Sequence, residues 1–204
     1  MGGGSFRAGT GIIEGNDRKR AATFRKAVND FAQKFKGKKI EYGWRLNEYG
    51  EFEAEFRGTS RTVNIPDADD KATIHWHPDS WTKAEGGPFS VADIRTSILS
   101  NECVSFVVDR TRIYYMRPQD WFSGFPSADT SFADAYAVAT EKTDNKSCKI
   151  VERMIRQGKF TKADGTIDRE KAKQYEMHLW NNMRITWLKN NAKKYGFIFG
   201  WRNI

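Results

Sequence analysis

The sequence predicts an α/β protein, with several short strands followed by a mainly helical C-terminal third. Three observations carry this. Runs of four to eight residues between about 39 and 118 are rich in β-branched and aromatic side chains and bounded by Gly, Pro, Asn and Asp. Segments near both ends place apolar residues at three- and four-residue steps. The 204 residues include 14 Phe, 7 Trp and 7 Tyr, enough large side chains for a sizeable core.

In chain order, residues 1–15 have no periodicity and read as a flexible Gly-rich start. Asn16 or Asp17 can cap a helix to about Phe35, whose stripe is Phe24, Ala27, Val28, Phe31 and Phe35, with Gly37 as the stop. Lys39–Leu46 and Glu51–Arg57 read as a hairpin about the turn Asn47–Gly50. Thr62–Ile65 reads as a brief strand, and Pro66–Asp70 as a loop. Ala72–His77 is a strand ended by Pro78, and Asp79–Pro88 a loop containing Gly86-Gly87. Ser90 caps a helix over 91–100 with Ile94, Ile98 and Leu99 on one side. Val104–Asp109 is almost wholly apolar and so a central strand; Arg112–Met116 follows, closed by Pro118. Trp121–Pro126 is an aromatic loop. Two or three helices are predicted, over about 130–142, 146–157 and 168–194, with Asp164-Gly165 in a turn, and Phe197–Trp201 as a final strand. The expected organisation is a flexible 1–15, a domain over 16–118 and a helical C-terminal extension over 119–204.

Composition narrows the function. No apolar run reaches the roughly 18 residues that cross a bilayer, so no membrane association is expected. The N-terminus lacks the charged, apolar and cleavage regions of a signal peptide. The two cysteines, Cys103 and Cys148, cannot build a disulfide framework or a four-Cys zinc site, which points to a reducing, cytoplasmic setting. The net charge of +8 suits an acidic partner such as nucleic acid, and equally suits simple solubility. P-loop and Rossmann glycine patterns are missing, as are a calcium-loop carboxylate series and the Pro-Cys-x-x-Cys of a zinc deaminase.

Chemistry concentrates at one place. His75 and His77 are two of the three histidines in the chain, and they sit two residues apart on a strand. Strand side chains alternate, so both imidazoles face one side and can grip one ion. Zinc accepts His nitrogen and carboxylate oxygen, and a catalytic zinc needs a third protein ligand. Asp93, in the first turn of the next helix, lies near the mouth of that strand and supplies it. A first-turn acid is also what the helix dipole favours on its own.

His75-Trp76-His77-Pro78, a loop, then Ser90-Val91-Ala92-Asp93 resembles the JAMM (MPN, or JAB) metallopeptidase motif: His-x-His-Pro, a loop, Ser-x-x-Asp, and a Glu on an upstream strand. Phe89-Ser90-Val91-Ala92-Asp93-Ile94 is similar to the variant found in phage-related and mobile-element proteins. So is the preceding Lys39-Ile40-Glu41-Tyr42-Gly43 with its turn Asn47-Glu48-Tyr49-Gly50. The resemblance spans about residues 38–118. It departs from the family in the loop between His77 and Asp93, where fifteen residues (78–92) make a longer connection than usual. It departs again at Trp76, where the family has a small or polar residue.

The resemblance implies a mixed, mostly antiparallel sheet flanked by helices, and Zn2+ held by His75, His77 and Asp93 with water as the fourth ligand. It further implies Glu41 as general acid/base and Ser90 as oxyanion donor, in cleavage of a peptide or isopeptide bond, possible substrates including a ubiquitin-like conjugate. Glu48, Glu51, Glu53 and Glu55 are rivals to Glu41, and Ser90 serves equally as a helix cap. Two other classes stay open: a non-catalytic module binding nucleic acid or a host protein through basic surface such as Lys189–Lys194, and a metal-dependent nuclease. His178 and Cys103 read as structural, and the aromatics at 121–122 and 180–187 as core or binding surface.

Overall fold

The computed structural model of the chain describes residues 15–79, 86–119 and 130–204. The predicted flexible start and the Trp121–Pro126 loop lie outside the described residues. Helix α1 (Gly15–Phe35) begins just upstream of the predicted cap and buries the expected stripe of Phe24, Val28, Phe31 and Phe35. Gly37, at φ +77°, ends it in the left-handed conformation that costs glycine least.

Strands β1 (Tyr42–Leu46) and β2 (Phe52–Arg57) form the predicted hairpin. The Asn47 side-chain oxygen accepts hydrogen bonds from the backbone N–H of Tyr49 and Glu51, which closes the turn. β3 (Ala72–Trp76) and β4 (Val104–Val108) are buried along their whole length. β5 (Arg112–Pro118) and β6 (Phe197–Asn203) complete a six-stranded sheet of order β2-β1-β3-β4-β5-β6. Only β3 and β4 run parallel, and α2 (Val91–Leu99) makes the crossover between them. The fold is thus mixed α/β with a mostly antiparallel sheet flanked by helices, as expected.

Period-two alternation sorts the sheet's two faces. Ala72, Ile74 and Trp76 with Val104, Phe106 and Val108 pack under α1. The opposite face carries Val107, Tyr114 and Met116 against α2, α3 (Ser131–Arg156) and α4 (Arg169–Asn191). Trp76 therefore belongs to the α1 core, and its indole N–H donates to the Lys38 carbonyl at 3.0 Å. Cys103 is buried in the same core, and burial pushes its thiol up to about 11, so it is unreactive at neutral pH.

Three elements differ from their expectations. Thr62–Ile65 is no strand. β1 already has β2 on one edge and β3 on the other, so this segment has no edge to join. It crosses the sheet face instead, at Gly43, where a Cβ would meet Ile65 Cδ1 at 2.6 Å. Of the two or three helices expected after residue 130, two form, and the stretches 130–142 and 146–157 are joined in one, α3. No Gly or Pro interrupts residues 143–145, and the Thr143 and Ser147 hydroxyls bond back to carbonyls three residues earlier without breaking it. The final strand is two residues longer than predicted and pairs along the whole of β5. The C-terminal segment thus supplies the sheet's last strand as well as two helices.

Candidate metal centre

The parallel pair β3/β4 and its crossover helix create the site. Thr73, His75 and His77 line the face of β3 opposite Trp76, and α2 lies over that face with its N-terminus toward the strand's end. Ser90 caps α2: its Oγ accepts the Asp93 N–H at 3.1 Å, and the Ser90 N–H donates to Asp93 Oδ2 at 2.5 Å. This reciprocal capping box locks the Asp93 carboxylate against the strand.

His75, His77 and Asp93 converge as predicted. The two Nε2 atoms are 3.1 Å apart. His75 Nε2 lies 3.4 Å from Asp93 Oδ1, and His77 Nε2 3.3 Å from Asp93 Oδ2. Donors bound tetrahedrally to zinc at about 2.0–2.1 Å are separated from each other by about 3.3 Å, from the same bond lengths. The three side chains thus already stand at the spacing such an ion requires. Tautomer agrees as well. His77 Nδ1 is 3.1 Å from the Gly87 carbonyl oxygen, which can only accept, so Nδ1 carries the proton and the Nε2 lone pair is left free for a metal ion. Burial opposes charge on these groups, yet Asp93 holds the His75 imidazole above its ordinary pKa, and the two imidazoles hold the Asp93 carboxyl well below its own.

Glu41 enters from the neighbouring strand. Gly43 pairs with His75, and Glu41, two residues earlier, shares its face of the sheet. Its carboxyl is buried and lines a cleft of about 280 Å³ with His75, Ser90 and Asp93. Burial raises its pKa despite the nearby imidazoles of His77 and His75. Its sequence rivals are elsewhere: Glu53 pairs with Arg45 and Lys71, Glu55 pairs with Lys34, and Glu51 bonds the turn residue Asn47. Glu48 reaches only Lys71, at 4.0 Å. His178 is exposed on α4, next to Asn182.

Sequence reasoning missed the scaffold behind the ligands. Gly87 accepts from His77 through its carbonyl and donates its N–H to Asp109, itself fully buried. At φ +87° Gly87 is strained for other residues, and a Cβ there would meet Asn181 Oδ1 at 2.4 Å. The buried Arg184 of α4 donates to the carbonyls of Pro88 and Phe89 and to the Tyr136 hydroxyl. The C-terminal helices therefore hold the loop that orients His77. The Gly86-Gly87 pair was the visible signal, legible as a turn but not as a contact with helices almost a hundred residues away. Gly87→Ala is expected to weaken binding of a divalent metal ion at this group about 10–100-fold, the usual cost of losing a group that orients a ligand. Competition against a chromophoric chelator reads this directly, and unchanged affinity would remove Gly87 from the site's support.

A second polar group was also missed. Glu102, in the α2–β4 connection, is 3% exposed and accepts the Thr73 hydroxyl at 2.8 Å. Burial pushes its carboxyl up to about 7, against the pull of the Thr73 hydroxyl. A carboxyl with a raised folded pKa favours folding while protonated, and that contribution is lost as pH rises from about 4.5 through about 7. Glu102→Gln is therefore expected to gain stability over wild type across that window, by about 3 kcal/mol at its upper end. Paired urea titrations at several pH values measure the difference, and a pH-independent gap would contradict the assignment.

No known family model matches the chain, and neither a curated protein nor a solved structure matches it. Among the described residues no helix is long and apolar enough to cross a membrane.

Proposed function

We propose that the chain is a zinc-dependent hydrolase of a peptide or isopeptide bond, acting by the JAMM-type arrangement that its motif resembles. The observation that carries this reading is the convergence of His75, His77 and Asp93 at tetrahedral spacing, with Glu41 facing the same cleft. Zinc bound there supplies Lewis-acid polarisation of the amide carbonyl and lowers the pKa of the attacking water. Glu41 takes the water's proton on its carboxylate and returns it to the amide nitrogen as the C–N bond breaks, leaving a carboxylate and an amine. Ser90 Oγ spends a lone pair on the Asp93 N–H and keeps its own proton to donate to the oxyanion. The capping role and the oxyanion role are thus compatible in one hydroxyl. The substrate is a protein or peptide, with a ubiquitin-like conjugate among the isopeptide options, and two free cysteines suit a reducing intracellular compartment.

The test is digestion of a mixed peptide set by the zinc-loaded chain, read by mass spectrometry. Products that appear with zinc and vanish on chelation support the reading; an intact peptide set at full zinc occupancy counts against it.

A second reading has its own observation. Lys142, Lys146, Lys149, Arg153 and Arg156 follow one another at four- and three-residue steps along one face of α3 and line an open groove of about 480 Å³. This stripe supports binding of a nucleic-acid backbone, with or without catalysis at the metal centre. Tight, salt-sensitive binding of DNA or RNA by metal-free protein would favour it.

A further inference from the structure

The cleft does not end at the metal ligands. Thr73 precedes His75 by two residues on the same face of β3, and Ser97 follows Asp93 by one helical turn on α2. Ser105 of β4 pairs with Thr73 across the parallel ladder. All three hydroxyls and the Glu102 carboxyl line the same cleft as Glu41 and His75. The metal centre is therefore followed, about 6–7 Å away by strand and helix repeats, by a second polar chamber.

This chamber is incomplete. Among the described residues no ion pair reaches Glu102, although it is a carboxyl 3% exposed. Arg61, on the cleft wall, is exposed and forms no ion pair with it. Ser97 Oγ, buried in a residue 1% exposed, has no partner at good hydrogen-bond geometry and stands close enough to Glu102 to oppose the rise in its pKa. Thr73 and Ser105 share a contact of 3.2 Å. A buried carboxyl ringed by hydroxyls but with no cation beside it is costly to ionise unless something else supplies the positive charge.

We propose that the Glu102 end of the cleft is a binding subsite for a primary ammonium group. An ammonium carries three donors and no acceptor, which matches one carboxylate flanked by hydroxyl oxygens. A carboxylate repels anionic groups. A divalent ion would need several more oxygen ligands than one carboxyl and these hydroxyls provide. An ammonium seated there keeps Glu102 ionised, offsetting the burial that otherwise neutralises it.

That the ammonium belongs to a peptide rests on the hydrolase reading above; the subsite itself does not. At this distance from the scissile carbonyl, a lysine side chain beside the bond and a free N-terminus one residue further away both present the same group.

The first experiment is an NMR titration of the full chain with pentylammonium and, in parallel, with 1-pentanol. Saturable shifts of the Ser97, Glu102 and Ser105 amides with the ammonium alone are expected, weakened about tenfold or more in Glu102→Gln. Absent shifts, equal shifts with pentanol, or undiminished binding in Glu102→Gln would overturn the proposal. Ser97→Ala serves as a second variant under the same criterion, and the wild-type comparison of the two probes stands without any variant.

The second experiment digests three peptide sets: N-acetylated with lysine, free N-terminus without lysine, and neither. Preference for the first or the second names the source of the ammonium. Equal cleavage of the third set overturns the assignment of the ammonium to the peptide substrate. Ammonium binding without cleavage of any set upholds the subsite and overturns the hydrolase reading.

Discussion

Glu41→Gln is expected to lower turnover about 100- to 10,000-fold, the usual range for removing a positioned proton carrier, while zinc remains bound. Gln keeps the size of Glu and can still accept the Val63 N–H that meets this carboxylate. What it loses is the ability to take and return a proton. The side chain lies outside the group formed by His75, His77 and Asp93, so zinc content should equal that of wild type. Burial already lifts the Glu41 pKa from the ordinary carboxylate range toward the pH at which proton transfer is most effective. Steady-state rates and elemental analysis on the same preparation separate the two effects. Undiminished turnover in the Gln variant would move the proton to another group; loss of zinc would make Glu41 part of the coordination.

His77→Ala should remove zinc binding, with affinity falling by more than the roughly 100-fold that even a supporting residue can cost. The substitution deletes one of three donors and leaves Asp93 and His75 unable to complete a tetrahedral set. It also releases the Gly87 carbonyl, which orients that ring. Thermal denaturation gives an independent reading. Zinc at about a thousand times its dissociation constant stabilises a folded chain by about 4 kcal/mol, so wild type should melt higher with zinc and His77→Ala should not respond. A retained zinc-dependent shift in His77→Ala would place the metal elsewhere.

Much of the candidate site was legible in the chain because its signals are local. Two histidines with one residue between them on a strand share a face whatever the rest of the protein does. Ser90 and Asp93, three residues apart, meet across the first turn of any helix that starts there, and the capping box follows from that spacing alone. The apolar run of β4 announced a strand buried on both faces, and its neighbours confirm it. The same locality explains the failures. Thr62–Ile65 has strand-like residues, but whether a strand forms depends on a free sheet edge, and β1 has none to offer. Whether residues 143–145 break the helix was left open by local composition, and a long helix packed against α4 carries them through.

The sequence alone determined the ligand face, the helix cap beside it, and which side of each central strand turns to a core. Only the tertiary structure decided which of five glutamates reaches the cleft, that Glu102 and three hydroxyls from β3, α2 and β4 share a chamber, and that Arg184 and Asn181 of α4 stand guard over Gly87. The reason is range. Periodicity and capping act within one or two turns of backbone, whereas strand register and helix crossings bring together side chains whose separation along the chain carries no pattern.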